Sequence, residues 1–301
     1  MFETFGDRVP IWATFNEPIA IYVGYGLGFF APGHRSEKLA RQAIHHLLLA
    51  HGEAVQRFRS LRLAKAKIGI VVDIWKHHPA RDCDEDRELA RYNDESTYRY
   101  FLTPLFKGHY TDYILGKLEE QGARPEIQPG DLAQIAQPLD FLGVNCYSRY
   151  LVSTDKDAAD LDKRRAANPS AFTACGWEIL PEAIYDAVMT ARREFAGDLP
   201  IYLTENGAAF PDHLTEDGKV NDAARIAYLD AYVKQIHRAN QDGADVRGYY
   251  IWSLLDNFEW SSGYSLRFGL LYTDYPTQRR IWKDSAYWYQ ETIRNNGLRE
   301  A

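Results

Sequence analysis

Five short stretches of the chain are apolar almost without interruption: Val9–Phe15, Ile68–Ile74, Phe141–Tyr147, Ile201–Thr204 and Gly248–Leu254. They are rich in Val, Ile, Tyr and Phe, and apolar positions do not alternate with polar ones. Such runs predict strands buried on both faces, as in a parallel sheet, because a strand with one wet face would alternate. Between them apolar residues recur at helical spacing. Glu37–Leu61 carries a stripe through Leu39, Ala43, Leu47, Ala50 and Ala54. Asp86–Phe101 and Tyr110–Glu120 follow the second strand, Glu182–Phe195 precedes the fourth, Asp222–Asn240 precedes the fifth, and Lys283–Arg294 comes last. Pro181 and the Asn221–Asp222 pair supply helix starts. Strand and helix in alternation predict an α/β fold with a parallel sheet and right-handed crossovers. Residues 148–177, polar and turn-rich, predict a surface loop near the mouth of a site. No repeat, linker or shift of composition divides the chain, so residues 1–301 predict one domain.

Composition narrows the class. A length of 301 residues suits a single α/β barrel domain as well as it suits two smaller domains. The formal net charge of −7 weighs against nucleic acid or an anionic membrane surface as a partner. No basic run approaches a nucleic-acid arm; RRIWK at 279–283 is short and carries an aromatic. No apolar run is long enough to span a bilayer. Cys83, Cys146 and Cys175 are scattered and odd in number, which predicts free thiols in a reducing compartment. With no leader-like start, the expected location is cytoplasmic. No CxxC or His/Cys cluster suggests zinc, so no metal is expected, and no cofactor is expected either. His45, His46, His51, His77 and His78 are expected to be structural, and the acidic run Asp82–Glu88 a solvated helix start. The 20 tyrosines and 7 tryptophans fit a large core, or, on a sharper reading, include rings that stack on sugar faces.

The chemistry lies in two strings, TFNEP at 14–18 and LTENG at 203–207. Each places a glutamate, Glu17 or Glu205, at the end of a predicted strand, beside an asparagine and before a turn-forming Pro or Gly. Hydrolysis of a glycosidic bond needs two carboxyls, one to protonate the leaving oxygen and one to attack the sugar or activate water. The ends of barrel strands are where (β/α) barrels hold their reactive groups. Only a fold can join two residues so far apart in sequence. A closed barrel of this kind has eight strands, and the hydrophobic pattern supplies five.

WATFNEP, FLGVNCYS, IYLTENGAA, GYYIWSLLDNFEW and YSLRFGLLYTDYPTQRR occur in this order at suitable spacing. Together they resemble glycoside hydrolase family 1, the retaining β-glucosidases and related β-glycosidases, and the resemblance covers nearly the whole chain. It implies a (β/α)8 TIM-barrel type fold of which only the last five β-α units are present, starting at the fourth barrel strand. The family's first three units, with a Gln, an Arg and a His-Trp pair lining the sugar site, have no counterpart here.

Residue by residue, the resemblance implies Glu205 as nucleophile and Glu17 as acid/base, with carboxyls ~5 Å apart as retention requires. Asn16 would hydrogen-bond the sugar 2-hydroxyl, Asn145 would lie near the nucleophile, and Tyr147 would donate to Glu205 and hold it ionised. Glu259 and Trp260 would read the 4- and 6-hydroxyls, Trp252 would stack beneath the ring, and Trp177 and Phe268 would wall the site. The Glu259 carboxylate would repel a 6-phosphate, so unphosphorylated β-D-glucosides are the expected substrates. Five strands of an eight-stranded barrel would leave two apolar sheet edges bare. Those edges predict self-association, or complementation by an N-terminal fragment, with little or no activity for the chain alone. A non-catalytic partial barrel is the alternative.

Overall fold

The computed structural model describes residues 1–63 and 65–298. A helical turn, α1 (Phe2–Phe5), leads into β1 (Ile11–Asn16). The short α2 (Ile19–Tyr22) and the long α3 (Glu37–Ser60) follow, then β2 (Lys67–Asp73) and β3 (His77–Pro79). Next come α4 (Asp84–Ser96), α5 (Tyr98–Lys107), α6 (Asp112–Glu120), α7 (Asp131–Ile135), β4 (Phe141–Asn145) and β5 (Tyr150–Val152). After α8 (Leu161–Ala167) and α9 (Glu182–Thr190), β6 (Ile201–Asn206), α10 (Ala223–Gln241) and β7 (Val246–Ile251) complete the main sheet. The hairpin β8 (Leu271–Asp274) and β9 (Arg279–Trp282) and helix α11 (Asp284–Asn295) come last.

The five predicted strands form one parallel sheet in the order β1-β2-β4-β6-β7. Alternate residues of the strands go to opposite faces. Ile70, Val72, Ile74, Leu142, Val144, Ile201 and Leu203 pack into one buried cluster with Ile44 and Leu48 of α3, Leu102 of α5, Ile184 of α9 and Leu229 of α10. The opposite face carries Gly69, Val71, Asp73, Gly143 and Asn145. It is tight: a Cβ on Gly143 would lie 2.7 Å from Val71 and 3.1 Å from Thr204. A second small cluster, Val55, Phe58 and Ile68, is covered by Phe2 and Trp12, whose rings meet edge-on at 5.0 Å.

Several expectations are corrected. The buried stripe of α3 is Ala40, Ile44, Leu48 and Val55, one position away from the predicted one, and Leu39 is half exposed. Two overlapping stripes exist on this helix, and the one with bulkier side chains is turned to the strands. The single helix expected over Asp86–Phe101 is two, separated at Thr97, whose φ of −112° and ψ of −114° are not helical. The 148–177 segment is not wholly loop: it contains β5, paired in parallel with β3, and α8. The β8–β9 hairpin was not expected at all. Within the acidic run Asp82–Glu88, Asp86 is fully buried, bound by Arg81, Ser153 and Thr154, which hold its carboxyl well below the usual range.

Candidate active site

The register of the sheet brings the two glutamates together. Asn16 ends β1 and Glu205 lies in the last turn of pairing between β4 and β6, opposite Asn145. A bulge interrupts β1 between Ala13 and Asn16, and Glu17 follows with φ of +50°. A non-glycine residue in the left-handed region costs on the order of 1 kcal/mol or more. It is held there by its backbone N–H, which donates to Val71 at 3.0 Å, and by Pro18, which starts α2. The strained backbone turns the Glu17 side chain back over the sheet end. The glycine after Glu205 is needed for space: a Cβ on Gly207 would stand 2.0 Å from the Trp252 carbonyl oxygen. This corrects the reading of Gly207 as a turn former.

Two asparagines tie the carboxylates. Asn16 Nδ2 donates to Glu205 Oε1 at 3.1 Å. Asn145 Nδ2 donates to Glu17 Oε1 at 2.8 Å and to Asn16 Oδ1 at 3.0 Å. Asn145 itself is fully buried and its Oδ1 accepts from Thr204 at 2.7 Å, which fixes the amide's orientation. The Tyr147 hydroxyl donates to Glu205 Oε2 at 2.7 Å. Burial, then the neighbouring Glu205 charge, push the Tyr147 phenol well up, so it stays a donor.

The two glutamates differ electrostatically. Burial raises Glu17 to about 7, opposed by the Asn145 hydrogen bond and assisted by the charges of Glu205 and Glu259. Burial also raises Glu205, but donors from Tyr147, Asn16 and Asn145 pull against it. Glu17 is thus prepared to hold a proton near neutrality, while Glu205, raised by burial, has donors that favour its ionised form.

The remaining expected residues lie around this pair. Glu259 accepts from Trp252 Nε1 at 3.3 Å, and burial raises its carboxyl. Trp260 is 65% exposed, with its ring 5.3 Å from Phe30 of the segment after β1. Trp177 contacts Tyr147 at 4.9 Å and Phe268 at 5.6 Å, and Trp75 meets it edge-on at 5.0 Å. The loop bearing Glu259 is anchored below by a buried charge network. Lys283 Nζ donates to Asp212 at 2.6 Å and Asp256 at 2.8 Å, and Arg267 donates to Asp256 at 2.6 Å. Arg225 bonds Asp212 at 2.7 Å and also pairs with Asp222.

Sequence reasoning missed Asp73 and Trp75. Asp73 is the last residue of β2 and the Cα partner of Asn145. An acid ending an apolar strand, as in GIVVD, was the available signal. The five histidines singled out in the sequence are engaged elsewhere: His45 with Tyr110 and Asp131, His46 with Gln42, His51 with Thr14, His77 with Asp94, and His78 with Arg149. Among the described residues no group of three His, Cys, Asp or Glu side chains could hold a metal ion.

The profile described as glycosyl hydrolase family 1 matches residues 1–298. Beta-glucosidase A of Thermotoga maritima is 44% identical over 303 residues, which are 100% of this chain and 67% of the relative. Beta-glucosidase A of Acetivibrio thermocellus is 40% identical over 99% of the chain and 67% of the relative. Among solved structures, the beta-glucosidase of Thermotoga maritima in complex with glucoimidazole superposes with a TM-score of 0.89 at 44% identity, over 99% of this chain and 66% of that one. The chain therefore spans about two thirds of the length of the relatives it matches.

Proposed function

This chain belongs to glycosyl hydrolase family 1, and from that premise we propose that it carries the catalytic pair of a retaining β-glycosidase acting on unphosphorylated β-D-glucosides. The observation that supports this best is the coupled arrangement of Glu17 and Glu205 through Asn16 and Asn145. In the first step Glu205 attacks the anomeric carbon, a glycosyl-enzyme bond forms, and Glu17 gives its proton to the departing oxygen. In the second step Glu17, now ionised, takes a proton from water, and the water oxygen displaces Glu205. A proton affinity near neutrality lets Glu17 serve in both directions, while the Tyr147 donor favours the ionised Glu205 that attack requires. The exposed indole of Trp260 and the carboxylate of Glu259 suit a neutral hydroxylated sugar, and the latter would repel a phosphate.

The unit is read as one partial (β/α)8 barrel. β1 and β7 are the two edges of the described sheet, and Ile11 and Tyr250 stand exposed along them. Turnover is proposed to need strands that close the sheet between these edges, supplied by an N-terminal complement. The second reading, a non-catalytic partial barrel that self-associates, draws on the same bare edges. The three free cysteines fit a reducing compartment such as the cytoplasm. No helix among the described residues is long and apolar enough to cross a membrane.

The deciding experiment is hydrolysis of a chromogenic β-glucoside by the purified chain, alone and mixed with the first three β-α units of a relative, beside a Glu205→Ala control. Little turnover alone, with Glu205-dependent turnover on mixing, is expected. Normal turnover by the chain alone sinks the need for a complement. A folded mixture that shows none sinks the hydrolase reading.

A further inference from the structure

The Tyr147 phenol favours the ionised Glu205, and its aim depends on what touches its ring. The backbone carbonyl of Tyr147 is pinned from α10, by the hydroxyls of Tyr228 at 3.2 Å and Tyr232 at 2.9 Å. The ring meets two indoles, Trp177 at 4.9 Å and Trp75 at 5.8 Å. Trp177 belongs to neither a helix nor a strand. It sits in a small turn closed by Thr173 N–H to the Trp177 carbonyl at 2.9 Å, Trp177 N–H to Thr173 Oγ1 at 3.1 Å and Ile179 N–H to the Ala171 carbonyl at 2.8 Å. Those bonds shape the turn, and others seat it. At the tip, Ala174 N–H donates to the Ala209 carbonyl at 2.9 Å. At the foot stands Glu178. Its carbonyl accepts from Ser148 Oγ at 2.7 Å. Its carboxylate accepts from Arg149 at 3.0 and 3.2 Å and from Arg164 of α8 at 2.7 Å. Ser148 and Arg149 are the two residues that follow Tyr147.

We propose that Glu178 is a positioning residue for the Glu205 carboxylate: its own carboxylate clamps the turn so that the Trp177 ring holds the Tyr147 ring in its hydrogen bond. A carboxylate shared by two guanidiniums is a charge-assisted, directional junction, and the two-point contact with Arg149 fixes angle as well as distance. Arg149 is itself anchored, since it also donates to His78 Nδ1 of β3 at 3.0 Å. The Glu178 carboxylate therefore joins β3, the chain just after Tyr147, α8 and the Trp177 turn at one point. Its side chain is only 19% exposed, so water cannot easily take the place of either arginine. Burial alone would raise its carboxyl, and the bonds from Arg149 and Arg164 outweigh that and hold it below the usual range. Without the carboxylate, two like charges face each other and the turn loses its tie to the residues beside Tyr147. Charge and geometry then predict opposite signs at Glu205. Removing an anion while two cations remain lowers the proton affinity of a nearby carboxyl, whereas loosening the Tyr147 donor raises it.

The test is a pH titration of the whole chain labelled at the glutamate side-chain carboxyl carbons and observed by carbon NMR, with Glu205→Gln assigning the Glu205 signal. Glu178→Gln is expected to raise the Glu205 midpoint by about half a unit or more, and to add nothing in a Tyr147→Phe background. A midpoint that is unmoved or lower in folded Glu178→Gln protein overturns the clamp. So does an equal rise with and without the Tyr147 hydroxyl. Trp177→Leu changes no charge and reads the same path. It is expected to raise the midpoint too, and it decides the matter if Glu178→Gln does not fold: no rise in folded Trp177→Leu protein overturns the role of the ring. This rests on the hydrolase reading for what Glu205 does, but the titration uses no substrate. A chain that fails to hydrolyse a β-glucoside when complemented counts against the hydrolase reading, and the Glu205 midpoint then decides Glu178 by itself.

Discussion

At the scale of single residues, the candidate site makes two glutamates unlike. The ordinary range for a glutamate is about 4.5, and Glu17 is raised to about 7. Folded Glu17 binds its proton more tightly than the unfolded chain does. Its share of stability is thus fully present below pH 4.5 and is lost as pH rises through 7. Glu17→Gln, which mimics the protonated form, should raise stability over the parent at pH 8 by on the order of 1–3 kcal/mol and leave it unchanged at pH 4. Thermal unfolding at the two pH values checks this, and equal gains at both would contradict it. Glu205 depends on the Tyr147 hydroxyl at 2.7 Å. A hydrogen bond to a charged group contributes about 1.5–3 kcal/mol. Tyr147→Phe should therefore move the Glu205 midpoint up by roughly one to two units, read by carboxyl NMR, and slow glycosyl-enzyme formation accordingly.

At the scale of elements, the loop after β7 that carries Glu259 is held from below. Lys283, Asp256, Asp212 and Arg225 are all essentially without exposed surface, and their charges balance in pairs. Burial, opposed by Asp212 and Asp256, lowers Lys283. Lys283→Met keeps the volume but leaves two buried carboxylates short of a partner. That loss should destabilise the chain by on the order of 3–5 kcal/mol. Urea denaturation measures it, and a change under 1 kcal/mol would mean the network carries little. None of this was legible in sequence, because Asp212, Asp256 and Lys283 fall in different loops with no shared spacing. The strands were legible, to within one to three residues at each end, since burial on both faces imposes an apolar run. The α3 stripe was misplaced by one position because propensity does not say which of two adjacent apolar faces the sheet selects. The break at Thr97 left no proline or glycine to mark it.

At the scale of the whole molecule, the decisive fact is an open parallel sheet with five strands and two edges. Bare edges with exposed apolar side chains recruit other strands. The purified chain should form oligomers in light scattering at micromolar concentration. A lysine at Tyr250, 52% exposed on edge strand β7, should shift the population towards monomer. A clean monomer for the parent at all concentrations would count against the edge argument. The ring contact between Phe30 and Trp260 spans the mouth from the β1 side to the β7 side, so side chains meet there although the strands do not.

By itself the sequence indicated an α/β fold and its strands, because burial on both faces demands apolar residues in a local run, and it singled out Glu17 and Glu205 as the candidate pair. It also held the donors Asn16, Asn145 and Tyr147 within those strings. Only the tertiary structure decided which carboxyl each asparagine serves, that Asp73 joins them, and that Asp86 is buried. Register, burial and hydrogen bonding are properties of neighbours far apart in the chain, and charge in a crowded site is decided by the whole set of groups that face one another.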